Sequence, residues 1–464
     1  MSGALHHMTI SDASRMVERK ELSPVTLTEA FLARIEDVDP KLNAYITVTA
    51  ARARDDARRA EREILAGNYK GPLHGIPVAL KDIYDTAGIR TTCHSHVFAD
   101  RVPERDSRVA EMLRGAGSVL LGKLATHEFA FAGPSWELPF PPARNPWNTE
   151  HFTGGSSSGS GAATAAGLAM ATLGSDTAGS IRMPAFFCGV TGLKPTYGRV
   201  SRRGVVPLAY SLDHCGPLTW TARDAALVLQ AIAGYDASDP TSAHHPVPDY
   251  ASGLRSDLKG LRIGLIRHFY DGDEHATPEI KSAMDLSCRT FEELGATIEE
   301  VQLSSLQDYS DCCIILILSE ALSIHQKTLK QVPEKYSSIL RDRLMLSSFI
   351  TAADYVNATR TRQKLVAEVN ALFDSYDVLV TAGGLSPAPK IDQMDKFYLL
   401  KNPLITTPFC ITGSPTIAVC NGFSAAGLPI GMQIAARAFD EQMVLRVADA
   451  YETATGWRDR RPPV

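Results

Sequence analysis

Two stretches of small residues concentrate the chemistry of this chain. The first is Gly154-Gly155-Ser156-Ser157-Ser158-Gly159-Ser160-Gly161. The second, after twelve residues, is Gly174-Ser175-Asp176-Thr177-Ala178-Gly179-Ser180-Ile181-Arg182. Three readings compete for them. A Gly/Ser run on its own is most often a flexible linker or a close-packing segment. A phosphate cradle would use Gly159-x-Gly161 at the start of a helix, but no Gly-Lys-Ser/Thr follows, no third glycine is in place and no strand directly precedes it. The third reading is a nucleophilic serine with its oxyanion hole. A serine after several small residues can sit on a sharp turn where successive backbone N–H groups converge on one point. The N–H groups of Thr177, Ala178, Gly179 and Ser180 are the candidate donors, each worth roughly 3–4 kcal/mol to an acyl-transfer intermediate.

Such a serine needs a base. Of the 13 histidines, His127 and His151 are nearest in sequence. Neither stands in a pattern with a following acid, and each reads as a surface or packed imidazole. The alternative is a lysine desolvated enough to be neutral near pH 7. Lys81 ends the apolar run Ile76-Pro77-Val78-Ala79-Leu80 and is the lysine placed for this, although position alone favours a strand-end lysine pointing to water.

The elements that must carry these residues follow from periodicity. The first seventy residues read as helices, with Ser23-Pro24 opening a Leu27, Phe31, Ile35 pattern. Residues 76–80 read as a buried strand, 108–115 as a helix, 118–121 as a strand, 162–167 as a helix of small residues and 169–173 as a strand. Later strands are expected over 262–266, 377–381, 416–419 and 430–434, with a closing helix over 440–451. Strands alternating with helices argue for an α/β fold with a large mixed, mostly parallel-type central sheet surrounded by helices. Residues 236–259, rich in Pro, Ser, Asp and His, are the best linker candidate. Because strands resume on both sides, one domain over 1–464 is expected: a helical region 1–70, a core 70–220, and an insertion with the rest of the sheet over 236–464.

Composition narrows the function classes. The chain has 464 residues, 44% hydrophobic and 21% charged, which excludes disordered, collagenous and disulfide-scaffold classes. With 47 basic against 52 acidic residues the net charge is −5 and no basic face stands out, so no nucleic-acid partner is expected. Eight cysteines sit at no metal-like spacing and read as reduced, mostly buried thiols. Residues 1–10 show no secretory pattern, and the cytoplasm is the expected compartment. The uncharged stretch 152–175 is long enough to span a bilayer, but it is too poor in large apolar side chains to gain from lipid and reads as tightly packed interior.

Taken together, Pro77-Val78-Ala79-Leu80-Lys81-Asp82, Gly154-Gly155-Ser156-Ser157 and the run Gly174 to Arg182 with Pro184-Ala185 resemble the amidase signature family of serine hydrolases. The resemblance extends to Asn145-Pro146-Trp147, Gly192-Leu193-Lys194-Pro195-Thr196 and Gly427-Leu428-Pro429-Ile430-Gly431-Met432-Gln433. It implies the amidase signature fold and a Ser–cis-Ser–Lys triad. Ser180 matches the nucleophile, Ser156 the bridging serine whose preceding peptide bond is cis, and Lys81 the general base. It implies no metal or organic cofactor. Ala178 and Ser158 stand where many members have glycine, which leaves the triad intact.

The segment 129–142 is more apolar than in glutaminyl amidotransferase A-subunits. Phe131, Trp136 and Phe140 are candidate pocket residues against an equal case for core packing, and Arg199 is a further pocket candidate. On that basis the expected activity is a stand-alone hydrolase of carbon–nitrogen acyl bonds. Its substrate would be a small amide or carbamate, including aryl amides and urethanes, with esters as side reactions. It would need no obligatory protein partner and no membrane, and a homodimer is left open. The alternative is a glutamine-dependent amidotransferase A-subunit that works with aminoacyl-tRNA and a partner subunit.

Overall fold

A computed structural model describes residues 5–464. Eleven strands occur in chain order: β1 (Tyr45–Val48), β2 (Pro77–Lys81), β3 (Val119–Leu124), β4 (Ala171–Asp176), β5 (Thr191–Lys194), β6 (His214–Thr219), β7 (Arg262–Leu265), β8 (Thr297–Glu300), β9 (Val378–Ala382), β10 (Thr416–Phe423) and β11 (Pro429–Ala436). They form one sheet in the order β1-β3-β2-β4-β6-β5-β10-β11-β9-β7-β8. The sheet is mixed. β2 runs parallel to both β3 and β4, and β7 runs parallel to β8 and β9, while the middle of the sheet from β4 through β11 is antiparallel. Every residue of β2, β3 and β4 is buried, as parallel strands covered on both faces must be.

This order explains the site. Neighbouring parallel strands bring their carboxyl ends to the same edge, and β2 and β4 end on Lys81 and Asp176. The helix Ser158–Ala165 covers that edge with every residue buried. Only small side chains permit the approach: a Cβ at Gly159 would stand 2.4 Å from the Ala44 carbonyl oxygen. The uncharged stretch is thus packed interior, as its composition predicts.

Boundaries move by a few residues from the sequence expectations. The helix Arg108–Gly115 lies where its Ser107 cap and period place it. β3 and β4 extend three residues beyond the expected ends, because Lys123 and the Gly-Ser-Asp end of β4 continue the pairing despite their weak strand propensity. β1, β5, β6 and β8 are four to six residues long and were not expected.

The helix Leu306–Gln331 is long and apolar enough to cross a membrane by length and composition. Leu316 and Ala321 are among its buried side chains, and the helix packs against the helix Ala352–Leu372, so here it acts as a core helix. Residues 236–259 hold no helix or strand yet are fastened to the body. Asp239 accepts the Arg202 N–H at 2.7 Å, the Pro246 carbonyl accepts from Arg199 at 2.8 Å, and Tyr250 is fully buried.

Candidate active site

Lys81 is completely buried at the end of β2, not pointing to water. Its Nζ lies 2.6 Å from Ser156 Oγ and 2.9 Å from Ser175 Oγ. Burial pulls the ammonium down to about 7, against the upward pull of the Asp213 and Asp176 carboxylates. A substantial neutral fraction near pH 7 makes this amine a proton acceptor.

Ser156 sits in the turn before the helix Ser158–Ala165, and its peptide bond to Gly155 is cis. Its carbonyl accepts from the His127 N–H and the Thr126 hydroxyl, each at 3.0 Å, so the turn is tied down on the side away from its hydroxyl.

Ser180 lies in the turn after β4 and is half-buried, facing the same cavity as Ser156. Asp176 shapes that turn. Its carboxylate accepts the N–H groups of Gly179 at 2.8 Å, Ile181 at 3.1 Å and Arg182 at 3.3 Å, and pairs with the Arg182 guanidinium at 3.0 Å. Burial pushes Asp176 up, but the adjacent guanidinium overrides it and holds the carboxyl well below the usual range. Arg182 in turn donates to Gln433 of β11 at 2.7 Å, and Gln433 donates to the Ala382 and Ile405 carbonyls. Sequence reasoning missed Asp176, Arg182 and Gln433 as a unit. All three lay within the motifs it singled out, but nothing in spacing shows that a carboxylate will be wrapped by its own turn.

This network corrects the expected oxyanion hole. The Gly179 N–H is engaged by Asp176, and neither Thr177 nor Gly179 lines the cavity. Ala178 and Ser180 do line it, and among the described residues their N–H groups have no protein acceptor. Gly179 is needed for a different reason: its φ is +124°, and a Cβ there would meet Thr406 Oγ1 at 2.3 Å.

The cavity, of about 110 Å³, is walled by Phe131, Phe152, Met183, Phe186 and Ile339. Phe131 is where the sequence expected it. Trp136 is not: it is 57% exposed and outside the cavity. Phe140 likewise lies elsewhere, under the Arg90 guanidinium at 5.4 Å. Arg199 is buried away from the cavity, pairing with Glu441 at 3.3 Å over the Phe439 ring, where it anchors residues 245–246. His127 forms part of the cavity wall, stacked on Phe152 at 5.7 Å, and burial pulls it down to about 3, so it is neutral. His151 is outside the cavity and shares a 2.7 Å hydrogen bond with the Ala388 carbonyl.

The wall also holds charges that were not expected, from Arg343, Asp395 and Lys396. Arg343 is 2% exposed, donates to the Lys396 carbonyl at 2.7 Å and to the Phe131 carbonyl, and has no carboxylate within ion-pair distance among the described residues. Burial pulls it down to about 10, leaving it cationic at neutral pH. Among the described residues no group of three His, Cys, Asp or Glu side chains could hold a metal ion. Six of the eight cysteines are buried as free thiols and two are half-buried.

Residues 26–445 match the sequence profile of the Amidase family. The A-subunit of glutamyl-tRNA(Gln) amidotransferase from Geobacter metallireducens is 42% identical over 98% of this chain and 99% of its own length. Among solved structures, a chain from a vestigial protein complex bearing on the origins of an s-triazine catabolic enzyme superposes with a TM-score of 0.90 at 32% identity, covering 97% of this chain and 99% of that one. The A-subunit of the Thermotoga maritima glutamyl-tRNA(Gln) amidotransferase superposes at 0.83 with 32% identity, over 97% of this chain and 95% of its own. These likenesses overturn the expected stand-alone hydrolase of aryl amides, carbamates and esters, and with it the expectation of no obligatory protein partner. The apolar segment 129–142 misled because most of it, Trp136 and Phe140 included, lies outside the cavity.

Proposed function

The chain belongs to the amidase family, and from that premise we propose that it is the amide-cleaving subunit of a glutamyl-tRNA(Gln) amidotransferase type of assembly, with glutamine as the amide. The observation that carries this reading is a full-length relative, 42% identical, that bears that name.

In the proposed reaction neutral Lys81 takes the proton of Ser156, and Ser156 takes that of Ser180 as Ser180 Oγ bonds to the carboxamide carbon. The N–H groups of Ala178 and Ser180 stabilise the oxyanion. The relay then runs backward. The proton on Lys81 returns through Ser156 to the amide nitrogen, the C–N bond breaks, and ammonia leaves with an acyl group on Ser180. Water attacks this ester by the same proton route, releasing glutamate and restoring the serine. Protonation of nitrogen is what an amide requires, since an amide anion is a very poor leaving group.

The Arg343 guanidinium gives the cavity a reason to prefer an amino-acid amide. Asp395 lines the same wall but makes no ion pair with it among the described residues, so the guanidinium is placed to pair with the α-carboxylate of glutamine, while Phe131 and Met183 cover the methylenes. Ammonia would pass to a partner protein that acts on aminoacyl-tRNA, a substrate set that fits the expected cytoplasm.

The test is release of ammonia and glutamate from glutamine by the purified chain, alone and with candidate partner subunits, beside Ser180→Ala. Turnover that needs the partner and vanishes in the variant supports the reading. Ammonia release from other amides with none from glutamine, with or without a partner, would overturn it.

A further inference from the structure

A second cavity, of about 320 Å³, shares only the wall residue Ala130 with the substrate cavity. Its buried end is formed by Ser175, whose hydroxyl is 2.9 Å from Lys81 Nζ, and by Asp213. It runs outward past Arg202 to Tyr210, which is exposed. The reaction proposed above uses neither the cavity nor Asp213.

The Asp213 carboxylate is held firmly. It accepts the Thr177 hydroxyl at 2.7 Å and the N–H groups of Leu208 at 2.8 Å and Ala209 at 3.0 Å. It makes no ion pair among the described residues. Its nearest cationic influence is Arg202, which lines the same cavity and donates to the Asp213 backbone carbonyl at 3.3 Å.

The charges that face Lys81 single it out. Asp213 acts on the lysine most strongly, followed by Asp176, Cys215 and Cys93. Asp176 is already paired with Arg182. Burial pushes Cys215 up to about 11 and Cys93 well above its ordinary value, so both are neutral thiols at pH 7. His127, on the substrate side, is neutral as well. Burial raises Asp213's own proton affinity against the pull of its three donors and Arg202, and among the described residues it is the one carboxylate acting on the lysine without a guanidinium clamped on it.

The geometry points to Asp213 as a positioning residue for the proposed relay: its carboxylate and the Ser175 hydroxyl that contacts Lys81 line the same buried end of the second cavity, and from there it tunes the lysine as the relay's base. This rests on the relay proposed above.

The experiment follows acylation of Ser180 by p-nitrophenyl acetate, an activated ester probe, as the p-nitrophenolate burst rate between pH 5 and 9. Wild type, Asp213→Asn and Asp213→Glu are compared. Removing the carboxylate should move the acidic limb of the profile down by at least about half a pH unit, and Asp213→Glu, which keeps it, should hold the limb closer to wild type. A limb that stays in place in Asp213→Asn, even with a lower plateau, would overturn the inference, because a packing role changes rate without changing the titration. If Asp213→Asn does not fold, Asp213→Ser is read in the same way. A wild type that releases no p-nitrophenolate at any pH would defeat the relay itself, an outcome distinct from failure of this inference.

Discussion

Lys81 Nζ lies 2.6 Å from Ser156 Oγ, although 75 residues separate them in sequence. The contact is made by topology: β2 ends on the lysine, and the small-residue helix packed over the same sheet edge begins just after the serine. A lysine placed there is a proton acceptor only because water is kept from it. The rate of acylation should accordingly rise with pH through about 7, the value to which burial pulls Lys81. Lys81→Met should lose about 10³-fold or more and show no such rise. A wild-type pH–rate profile flat between pH 5 and 9 would remove the lysine from the reaction.

The same burial has an opposite effect on stability. In the folded chain Lys81 titrates near 7, against the ordinary lysine value of 10.5. Between these values the unfolded chain holds one more proton than the folded one, so this group makes stability rise with pH across the window. Below it both states are protonated and the full penalty applies. Lys81→Met should therefore be more stable than wild type at pH 7, by a gain of order 2 kcal/mol after allowing for the two serines left without their partner. That gain should shrink as pH approaches 10.5. Chemical denaturation of both proteins at pH 7 and pH 9.5 measures it, and a variant less stable at pH 7 than wild type would contradict the account.

Asp176 is the centre of the nucleophile turn, holding three backbone N–H groups and the Arg182 guanidinium at once. Asp176→Asn should leave that buried guanidinium unpaired and cost about 3–5 kcal/mol, visible as a lower denaturation midpoint. Ser180 acylation should fall even where the variant is still folded, because the turn loses its template. Full activity in a folded Asp176→Asn would mean that the turn holds its shape by other means.

Much of this was legible in the sequence. Lys81, Ser156 and Ser180 stand out through the joint resemblance of three motifs to one family, since residue type alone favours a linker and a strand-end lysine in water. β2 and β4 stand out as short apolar runs, and the helix Arg108–Gly115 is set off by the turn residues that follow it. What stayed hidden depends on long-range contact. The strands β5 and β6 are short and carry Gly and Pro, so only their pairing defines them. Arg199 and Arg343 look alike in sequence, yet one is paired with Glu441 beneath a strap and the other faces the substrate cavity. Trp136 was expected in the pocket for its aromatic ring, but it follows a turn that carries it to the surface.

That contrast between the two arginines can be tested through stability. Arg199→Met should leave Glu441 buried without its partner and release residues 245–246, costing about 3 kcal/mol or more while leaving KM unchanged. Trp136→Ala should change neither stability nor KM measurably, since exposed positions away from special features shift stability by under about 0.5 kcal/mol. A raised KM in either variant, measured on folded protein, would return that residue to the substrate site.

Arg343→Met separates substrate recognition from chemistry. The guanidinium is buried in the cavity wall, where Asp395 acts on it but makes no ion pair with it among the described residues, and the α-carboxylate of glutamine is its proposed partner. Methionine keeps an apolar stem over Phe131 and removes the charge, which lies 5.5 Å from that ring, together with its hydrogen bonds to the Lys396 and Phe131 carbonyls. Losing a charge-assisted hydrogen bond in a desolvated site costs about 2–3 kcal/mol, so KM for glutamine should rise about 30- to 150-fold. Acylation by p-nitrophenyl acetate, which carries no carboxylate, should stay within about threefold of wild type, because the relay at Lys81 and Ser156 is untouched. Equal losses on both substrates would show that Arg343 supports the cavity wall rather than the ligand. An unchanged KM for glutamine in a folded, active variant would show that the carboxylate binds elsewhere.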